Sequence, residues 1–169
     1  MRIFLIGFMG SGKTHWGKQL AAHLMLPFFD LDACIIEQEK KSVAEIFTEF
    51  GEEYFRRKER KTLEALTETH PAMILSCGGG TPCFFNNIGF MKKNGTVVWL
   101  NTPVENLLER LLKEKTHRPL IKEIPDEELK SYIIRKLNER RMYYQQADVT
   151  VSNENDIAIN ELIQTILHA

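Results

Sequence analysis

Residues 7–14 read GFMGSGKT, which matches the phosphate-binding pattern G-x-x-x-x-G-K-[ST]. An apolar run at residues 3–6 precedes this stretch and predicts a buried strand. Apolar residues at helical spacing follow it, from about residue 13 to residue 25. Strand, glycine-rich loop and helix in this order are the context that a P-loop needs, and a chance glycine-rich turn would need neither neighbour.

The residue types inside this loop predict a bound nucleotide and a magnesium ion. The glycines let the backbone wrap closely around a ligand, and the loop N–H groups and the helix start favour an anion there. Lys13 would bring a positive charge to the β- and γ-phosphates, and the hydroxyl of Thr14 would ligate Mg²⁺. The motif does not identify the acceptor. The predicted nucleotide-binding set is Gly10, Ser11, Gly12, Lys13, Thr14 and His15.

Composition favours one globular domain spanning residues 1–169. Apolar residues make up 43% of the chain and the formal net charge is −1, so we expect neither nucleic acid nor a membrane surface as a partner. No apolar run approaches the roughly 20 residues of a membrane-spanning helix. The first strand begins too early for a signal peptide, so we expect a cytoplasmic location.

The cysteines and histidines predict no further chemistry. An odd number of cysteines argues against a disulfide framework, so we expect buried free thiols at Cys34, Cys77 and Cys83. The five histidines are scattered along the chain, without partners at the spacing of metal ligands.

Five short apolar strands alternate with helices along the chain. This alternation predicts an α/β fold, a three-layer α/β/α sandwich with a five-stranded parallel sheet. Together with the P-loop after the first strand, this arrangement resembles the fold of P-loop nucleoside monophosphate kinases. We expect strands at residues 3–6, 26–29, 73–76, 96–100 and 149–151. We expect helices at about residues 13–25, 42–50, 52–69, 86–93, 103–113, 127–146 and 157–167, with a short one opening near residue 35.

Two aspartates follow the second strand. Ligands of parallel α/β sheets bind beyond the carboxyl ends of the strands, where the P-loop, these aspartates, the triple glycine Gly78–Gly80 and residues 101–102 should meet. A spacing of two at a strand end would put the carboxylates of Asp30 and Asp32 on the same side. One would hold water around Mg²⁺ and the other would face an acceptor hydroxyl; the alternative is a helix cap and a turn residue.

Paired arginines occur at residues 56–57 and 140–141. Such pairs are usually solvated, but two of them near a ligand face could form a guanidinium fork for a substrate carboxylate. Beside them, the triple glycine would allow a ligand close approach to the backbone, or it would simply form a tight turn.

The segment of residues 114–126 contains two prolines and several charges without an apolar period. We expect a mobile loop or lid here. Arg118, just before Pro119, could close onto the transferring phosphate.

Six motifs occur in a characteristic order: GFMGSGKT, FDLD, FGEEYFRRKE, CGGGTP, HRPL and ERRMYYQQAD. In this order the chain resembles the shikimate kinase family, from residue 3 to about residue 151. The resemblance implies ATP-dependent phosphorylation of the 3-hydroxyl of shikimate, on the pathway to chorismate and the aromatic amino acids. It further implies ATP and shikimate as the partners of a monomer, with Mg²⁺ as the cofactor.

The resemblance also implies roles for individual residues. Asp32 would contact the shikimate hydroxyls and act as base, with Lys13 and Arg118 as the other catalytic residues. The metal would lie at Thr14 and Asp30, and residues 33–66 would form the acceptor-binding region. The carboxylate would be gripped by Arg56 and by Arg140, with Arg141 as the rival of the latter, and the ring would lie on Gly78, Gly79 and Gly80. The adenine would meet Arg110, unless the alignment places Leu111 there.

Two other classes of protein are alternatives. A related small-molecule kinase such as gluconate kinase shares the fold, although it would not need two arginines beside a triple glycine. A non-enzymatic nucleotide switch would need a guanine-reading N-K-x-D segment, and the sequence contains none.

Overall fold

The computed structural model describes residues 1–152 and 158–168. In this part of the chain five strands form one parallel sheet in the order β2-β3-β1-β4-β5. The predicted five-stranded parallel sheet is therefore confirmed. The strands are β1 (Arg2–Ile6), β2 (Phe28–Asp30), β3 (Met73–Ser76), β4 (Thr96–Asn101) and β5 (Val149–Ser152).

Helices connect the strands and follow the last one. The final helix was expected from residue 157, which lies outside the described residues. A 3₁₀ turn at Thr81–Cys83, after the triple glycine, was not predicted. The helices are α1 (Lys13–Leu24), α2 (Leu31–Glu39), α3 (Val43–Thr69), α4 (Asn87–Asn94), α5 (Val104–Glu114), α6 (Pro119–Lys122), α7 (Asp126–Tyr144) and α8 (Ile159–Leu167).

The central strand β1 shows why the fold has three layers. Its side chains alternate between the two faces of the sheet. Ile3 and Leu5 pack with α1 and α8 on one face, whereas Phe4 and Ile6 pack with α2, α3, α4 and α7 on the other. All four are at most 1% exposed, as expected of a parallel strand covered on both sides.

The residues after β2 enter a helix earlier than the sequence suggested. Asp30 ends the strand and caps α2, where its Oδ1 accepts a hydrogen bond from the backbone N–H of Ala33 at 3.3 Å. Asp32 lies in the first turn of α2. The expectation that strand spacing places both carboxylates is therefore wrong, because a helix start brings them to the carboxyl edge of the sheet.

A third apolar cluster, the lid cluster, joins the P-loop to α5, α6 and α7. It contains the fully buried Ile121 of α6, which lies within the predicted loop of residues 114–126. A 3₁₀ turn at Lys115–His117 and the short α6, neither of which was predicted, occupy part of this segment. Its other buried members are Phe8, Leu107, Leu111, Leu129 and Ile133.

Two local signals define α3. Ser42 and Glu45 form a reciprocal capping box at its start, with the Ser42 N–H donating to Glu45 Oε2 at 2.7 Å. The predicted break at Gly51 is confirmed as a kink, where the backbone adopts φ 82° and ψ 170°. Among the described residues, no helix combines the length and the apolarity that crossing a membrane would need.

We predict that Gly51→Ala destabilises the protein through its backbone alone. The φ and ψ of Gly51 belong to a region that only glycine populates readily, so alanine should cost about 1–3 kcal/mol of unfolding free energy. Apart from the adjacent residues and the helix backbone, no atom of the described residues lies within 4 Å of the position that the new Cβ would take, so a steric clash would not explain the loss. Urea denaturation measures the effect. Lys61→Ala, on the exposed face of the same helix, is the control, and equal stability of the two variants would contradict the prediction.

Candidate active site

Two adjoining cavities open at the carboxyl edge of the sheet. The P-loop cavity has a volume of about 540 Å³ and is lined by the loop, Asp30 and Arg110. The arginine cavity has a volume of about 430 Å³ and is lined by α2, α3 and the triple glycine. The residues that line both cavities, and therefore mark their junction, are Met9, Asp32, Gly78, Gly79 and Arg118.

Lys13 is held inside the P-loop. Its Nζ donates hydrogen bonds to the carbonyl oxygens of Gly7 at 2.9 Å and Phe8 at 2.8 Å. Burial lowers the pKa of Lys13 to about 8, although the nearby carboxylates of Asp32 and Asp30 act in the opposite direction. A lysine that is desolvated in this way gains strongly from an approaching anion such as a phosphate.

The other loop residues divide into lining and supporting positions. Gly10, Gly12, Thr14 and His15 line the P-loop cavity. Ser11 is fully buried, and its backbone N–H donates to the carbonyl oxygen of Phe8 at 3.2 Å. Ser11 therefore supports the loop from within.

Thr14 and Asp30 form an oxygen pair at the edge of the P-loop cavity. Thr14 Oγ1 donates to Asp30 Oδ2 at 3.0 Å. No group of three or more His, Cys, Asp or Glu residues in the described ranges could hold a metal by itself. This pair nevertheless fits Mg²⁺, which binds hard oxygens and usually takes one or two from the protein and the rest from water and substrate phosphates.

Asp32 lies at the junction of the two cavities. Its Oδ1 is buried and accepts no hydrogen bond from the described residues. Burial, followed by the negative charges of Glu59 and Asp30, raises the pKa of Asp32 to about 6, and the charges of Lys13 and Arg56 oppose this rise. A carboxylate with such a pKa, facing a cavity, has the properties of a general base near neutral pH.

Arg56 and Arg57 point in different directions from α3. Arg56 is only 9% exposed and lines the arginine cavity, whereas Arg57 is exposed and pairs with Glu53. The Arg56 guanidinium donates to Glu59 Oε2 at 2.7 Å and lies 4.4 Å from the centre of the Phe84 ring. The structure therefore places Arg56 at the cavity.

The second arginine pair behaves in the same way. Arg140 lines the arginine cavity and lies 5.5 Å from the centre of the Phe8 ring. Arg141 is exposed on α7. Of the two alternatives that the sequence left open, only Arg140 faces the same cavity as Arg56.

The triple glycine provides the surface against which these charged groups lie. A Cβ on Gly78 would come within 2.9 Å of Glu59 Oε1 and 3.1 Å of Asp32 Oδ1. On Gly79 it would come within 3.0 Å of Arg140 Nη1, and on Gly80 within 2.7 Å of Arg56 Nη2. Any side chain at these positions would therefore displace a charged group of the cavity.

Glu59 is a site residue that the sequence analysis missed. It is fully buried and accepts hydrogen bonds from Arg56 and, at 2.5 Å, from Thr81 Oγ1. The available signal was its position three residues after Arg56, which places the two side chains on one face of a helix.

Two further arginines border the P-loop cavity. Arg110 donates to the carbonyl oxygen of Gly10 at 3.1 Å, whereas Leu111 is fully buried in the lid cluster and faces away from any ligand. Arg118 lines both cavities, and its Nε donates to Glu114 Oε2 at 2.8 Å.

The cysteines differ from expectation. All three are free, but only Cys77 is buried, and its burial raises the pKa of the thiol above its usual range. Cys34 and Cys83 are half-buried, so the expectation of three buried thiols is wrong.

The site combines a P-loop, at the edge of a five-stranded parallel sheet, with a second cavity that contains a carboxylate and two arginines. This combination is typical of P-loop kinases that act on small molecules. The family model described as "Shikimate kinase" matches residues 9–169. The chain belongs to the shikimate kinase family.

Similar proteins agree with this assignment. The chain is 43% identical over 166 residues to a shikimate kinase of Azobacteroides pseudotrichonymphae, covering 98% of this chain and 97% of the relative. A crystal structure of shikimate kinase from Bacteroides thetaiotaomicron has a TM-score of 0.88 at 38% identity, covering 99% of this chain and 95% of that one. A structure of shikimate kinase from Acinetobacter baumannii in complex with shikimate has a TM-score of 0.86 at 35% identity, covering 99% and 90%.

We predict that Asp32→Asn stabilises the folded protein in a pH-dependent way. The pKa of Asp32 rises on folding from 3.8 to about 6, so the ionised carboxylate disfavours the folded state. The contribution of protonated Asp32 to the free energy of unfolding is therefore fully present below pH 3.8, and it is lost as the pH rises through 6. Because asparagine does not ionise, the variant should gain up to about 3 kcal/mol over the wild type between pH 4 and pH 7.

Urea denaturation over this pH range measures the difference. Glu68→Gln, which removes an exposed carboxylate from α3, is the control. The prediction would be contradicted if the difference in unfolding free energy between Asp32→Asn and wild type stayed constant from pH 4 to pH 7.

Proposed function

We propose that the chain transfers the γ-phosphoryl group of ATP to the 3-hydroxyl of shikimate, giving shikimate 3-phosphate and ADP. The observation that carries the proposal is the position of Asp32, whose unpartnered Oδ1 lies where the P-loop cavity meets the arginine cavity. The first cavity offers a phosphate cradle, and the second offers cations for a carboxylate. The relative that is described in complex with shikimate supports this choice of acceptor.

In the transfer, the 3-hydroxyl oxygen forms a bond to the γ-phosphorus, and the bond from that phosphorus to the β–γ bridging oxygen breaks. The proton of the hydroxyl passes to the ionised carboxylate of Asp32, and the electron pair of the broken bond leaves with ADP. The pKa of about 6 makes Asp32 a stronger base than an ordinary aspartate while keeping it largely ionised at pH 7.

The P-loop side would position and neutralise the phosphates. Lys13 now donates to two backbone carbonyls and would donate instead to the β- and γ-phosphate oxygens. Arg118 now pairs with Glu114 and would pair instead with the negative charge of the phosphates. Thr14 and Asp30 would hold Mg²⁺, which when bound would neutralise phosphate charge. Arg110, at the rim of this cavity, would pack on the adenine.

The arginine side would recognise the acceptor. Arg56 and Arg140 would pair with the carboxylate of shikimate, and Glu59 would keep the Arg56 guanidinium in place. Gly78–Gly80 would let the ring approach the backbone. Residues 33–66 would form the acceptor-binding region, because α2 and α3 supply most of this wall.

The remaining features of the proposal concern the whole chain. We propose that residues 1–169 act as one kinase domain, with residues 114–126 as its lid. Since residues of a single chain line both cavities, a monomer would be sufficient for activity. We propose a cytoplasmic location, where ATP is available to such an enzyme.

Shikimate-dependent release of ADP tests the proposal. We expect ADP release with shikimate and far less with gluconate or with no acceptor. Lys13→Ala should lower turnover by about 10²-fold or more, on the scale of losing one well-placed electrostatic donor. Gluconate-dependent release would instead favour the related kinase class, and nucleotide binding without acceptor-dependent release would favour a switch.

We predict that the two arginines of the cavity serve the acceptor and not the nucleotide. Arg56→Ala or Arg140→Ala should raise the Kd of shikimate by about 10-fold or more, since a charge-assisted hydrogen bond contributes about 1.5–3 kcal/mol. The Kd of ATP should change by less than about threefold. Calorimetric titration of each ligand measures both constants.

The neighbouring arginines provide matched controls. Arg57→Ala and Arg141→Ala remove the same charge from exposed positions one residue away. If Arg57→Ala weakens shikimate binding more than Arg56→Ala does, or Arg141→Ala more than Arg140→Ala, the proposed choice of arginine is wrong.

We predict that Arg118 acts in turnover rather than in nucleotide binding. Its guanidinium lies beside both cavities but is engaged by Glu114, so it would reach the phosphates only when ligands replace that partner. Arg118→Ala should lower kcat by about 10²-fold or more while the Kd of ATP for the acceptor-free enzyme changes little.

Single-turnover kinetics and nucleotide titration separate the two quantities for Arg118→Ala. Lys122→Ala, which removes an exposed positive charge from α6, serves as the control. Unchanged turnover of Arg118→Ala would exclude the proposed role.

A further inference from the structure

Three successive glycines cannot fix their own backbone, because glycine has no side chain to restrict φ and ψ. Gly78–Gly80 must therefore be held by hydrogen bonds if it is to present one defined surface to a ligand. Two of its three carbonyl oxygens are held by the turn that follows. The backbone N–H of Thr81 donates to Gly78 at 3.0 Å, and that of Cys83 donates to Gly80 at 2.9 Å.

The carbonyl of the middle glycine is held from another element. The hydroxyl of Tyr144, at the end of α7, donates to the carbonyl oxygen of Gly79 at 2.6 Å. This contact joins residues that are 65 positions apart in the sequence, so the middle of the loop is held by tertiary structure and not by a local turn.

Tyr144 is itself held firmly. Its side chain is fully buried, and its ring lies 5.7 Å from that of Trp99 on β4. Burial also raises the pKa of the Tyr144 hydroxyl above its ordinary value, so it remains a donor throughout the neutral pH range.

The same helix contacts Gly79 a second time. Arg140 precedes Tyr144 by four residues, so the two side chains leave the same face of α7. The Arg140 Nη1 lies 3.0 Å from the place where a Gly79 Cβ would be. Gly79 is therefore held by the Tyr144 hydroxyl and covered by the Arg140 guanidinium.

We infer that Tyr144 is a positioning residue for the acceptor: its hydrogen bond orients the Gly79–Gly80 peptide, and with it the surface on which Arg140 and Arg56 are aligned. The inference rests on the proposed function, in which the arginine cavity binds shikimate. Loss of the hydroxyl removes this hydrogen bond from a half-buried carbonyl and frees the peptide to rotate. The P-loop, on the other side of the junction, keeps its own hydrogen bonds.

Tyr144→Phe tests the inference, because it removes the hydroxyl and keeps the ring. We expect the KM and the Kd of shikimate to rise by roughly 10-fold, on the scale of one buried hydrogen bond. The KM of ATP and kcat should stay within about twofold. Tyr143→Phe, the same change at the adjacent residue, is the matched control and should leave all four constants unchanged.

Hydrogen exchange provides a readout that does not depend on the acceptor. The N–H of Gly80 belongs to the same peptide unit as the Gly79 carbonyl, so Tyr144→Phe should accelerate its exchange in the ligand-free protein, whereas Tyr143→Phe should not. Urea denaturation of both variants checks that they are folded under the assay conditions.

Three results would overturn the inference. They are unchanged exchange at Gly80, an unchanged KM of shikimate in the folded variant, and a parallel rise in the KM of both substrates, which would indicate general loosening. If the wild-type chain does not use shikimate, the proposed function fails, and the exchange at Gly80 then decides separately whether Tyr144 orients the loop.

Discussion

The packing of charged side chains against Gly78–Gly80 is the constraint on which the site depends. Buried ions are tolerated only when opposite charges and hydrogen bonds lie close to them. Here Asp32, Glu59, Arg56 and Arg140 all approach within about 3 Å of positions that a side chain on one of these glycines would occupy. Because these three residues have no side chains, two carboxylates and two guanidinium groups can lie close together at the end of β3. A ligand in either cavity would contact them there.

Glu59 links recognition to chemistry within this cluster. Its carboxylate holds Arg56 at 2.7 Å and so directs the guanidinium into the arginine cavity. The same negative charge is, after burial, the largest cause of the raised pKa of Asp32. In the proposed function, Glu59 would therefore both orient a cation for the acceptor and strengthen the base that faces the acceptor. Because Arg56 opposes that rise, the basicity of Asp32 depends on how closely the Arg56–Glu59 pair is held.

The parts of the structure that depend on local signals could be predicted from the sequence. The P-loop, the five strands, the helix start near residue 42 and the break at Gly51 each follow from a few neighbouring residues, and the structure agrees with them. Glu59 was missed because burial of a charge depends on Thr81, which is distant in the sequence. The short α6 was not predicted for a similar reason: its Ile121 is buried against distant residues of the lid cluster, and one apolar residue gives no periodic pattern.

The two sides of the site are held with very different strength, and this difference fits a kinase. The arginine cavity, which is the proposed acceptor side, is held by buried groups such as Tyr144 and Glu59. The lid is held by Ile121 and by partly exposed ion pairs such as Lys115–Asp126, and pairs of this kind contribute at most about 1 kcal/mol each. Under the proposed function, phosphate oxygens would therefore replace a lid partner at little cost, whereas displacing a buried group of the acceptor wall would cost more. In the proposed function, selectivity for the acceptor would then reside in the buried contacts, and the exclusion of water from the phosphates would be left to the contacts that are easiest to exchange.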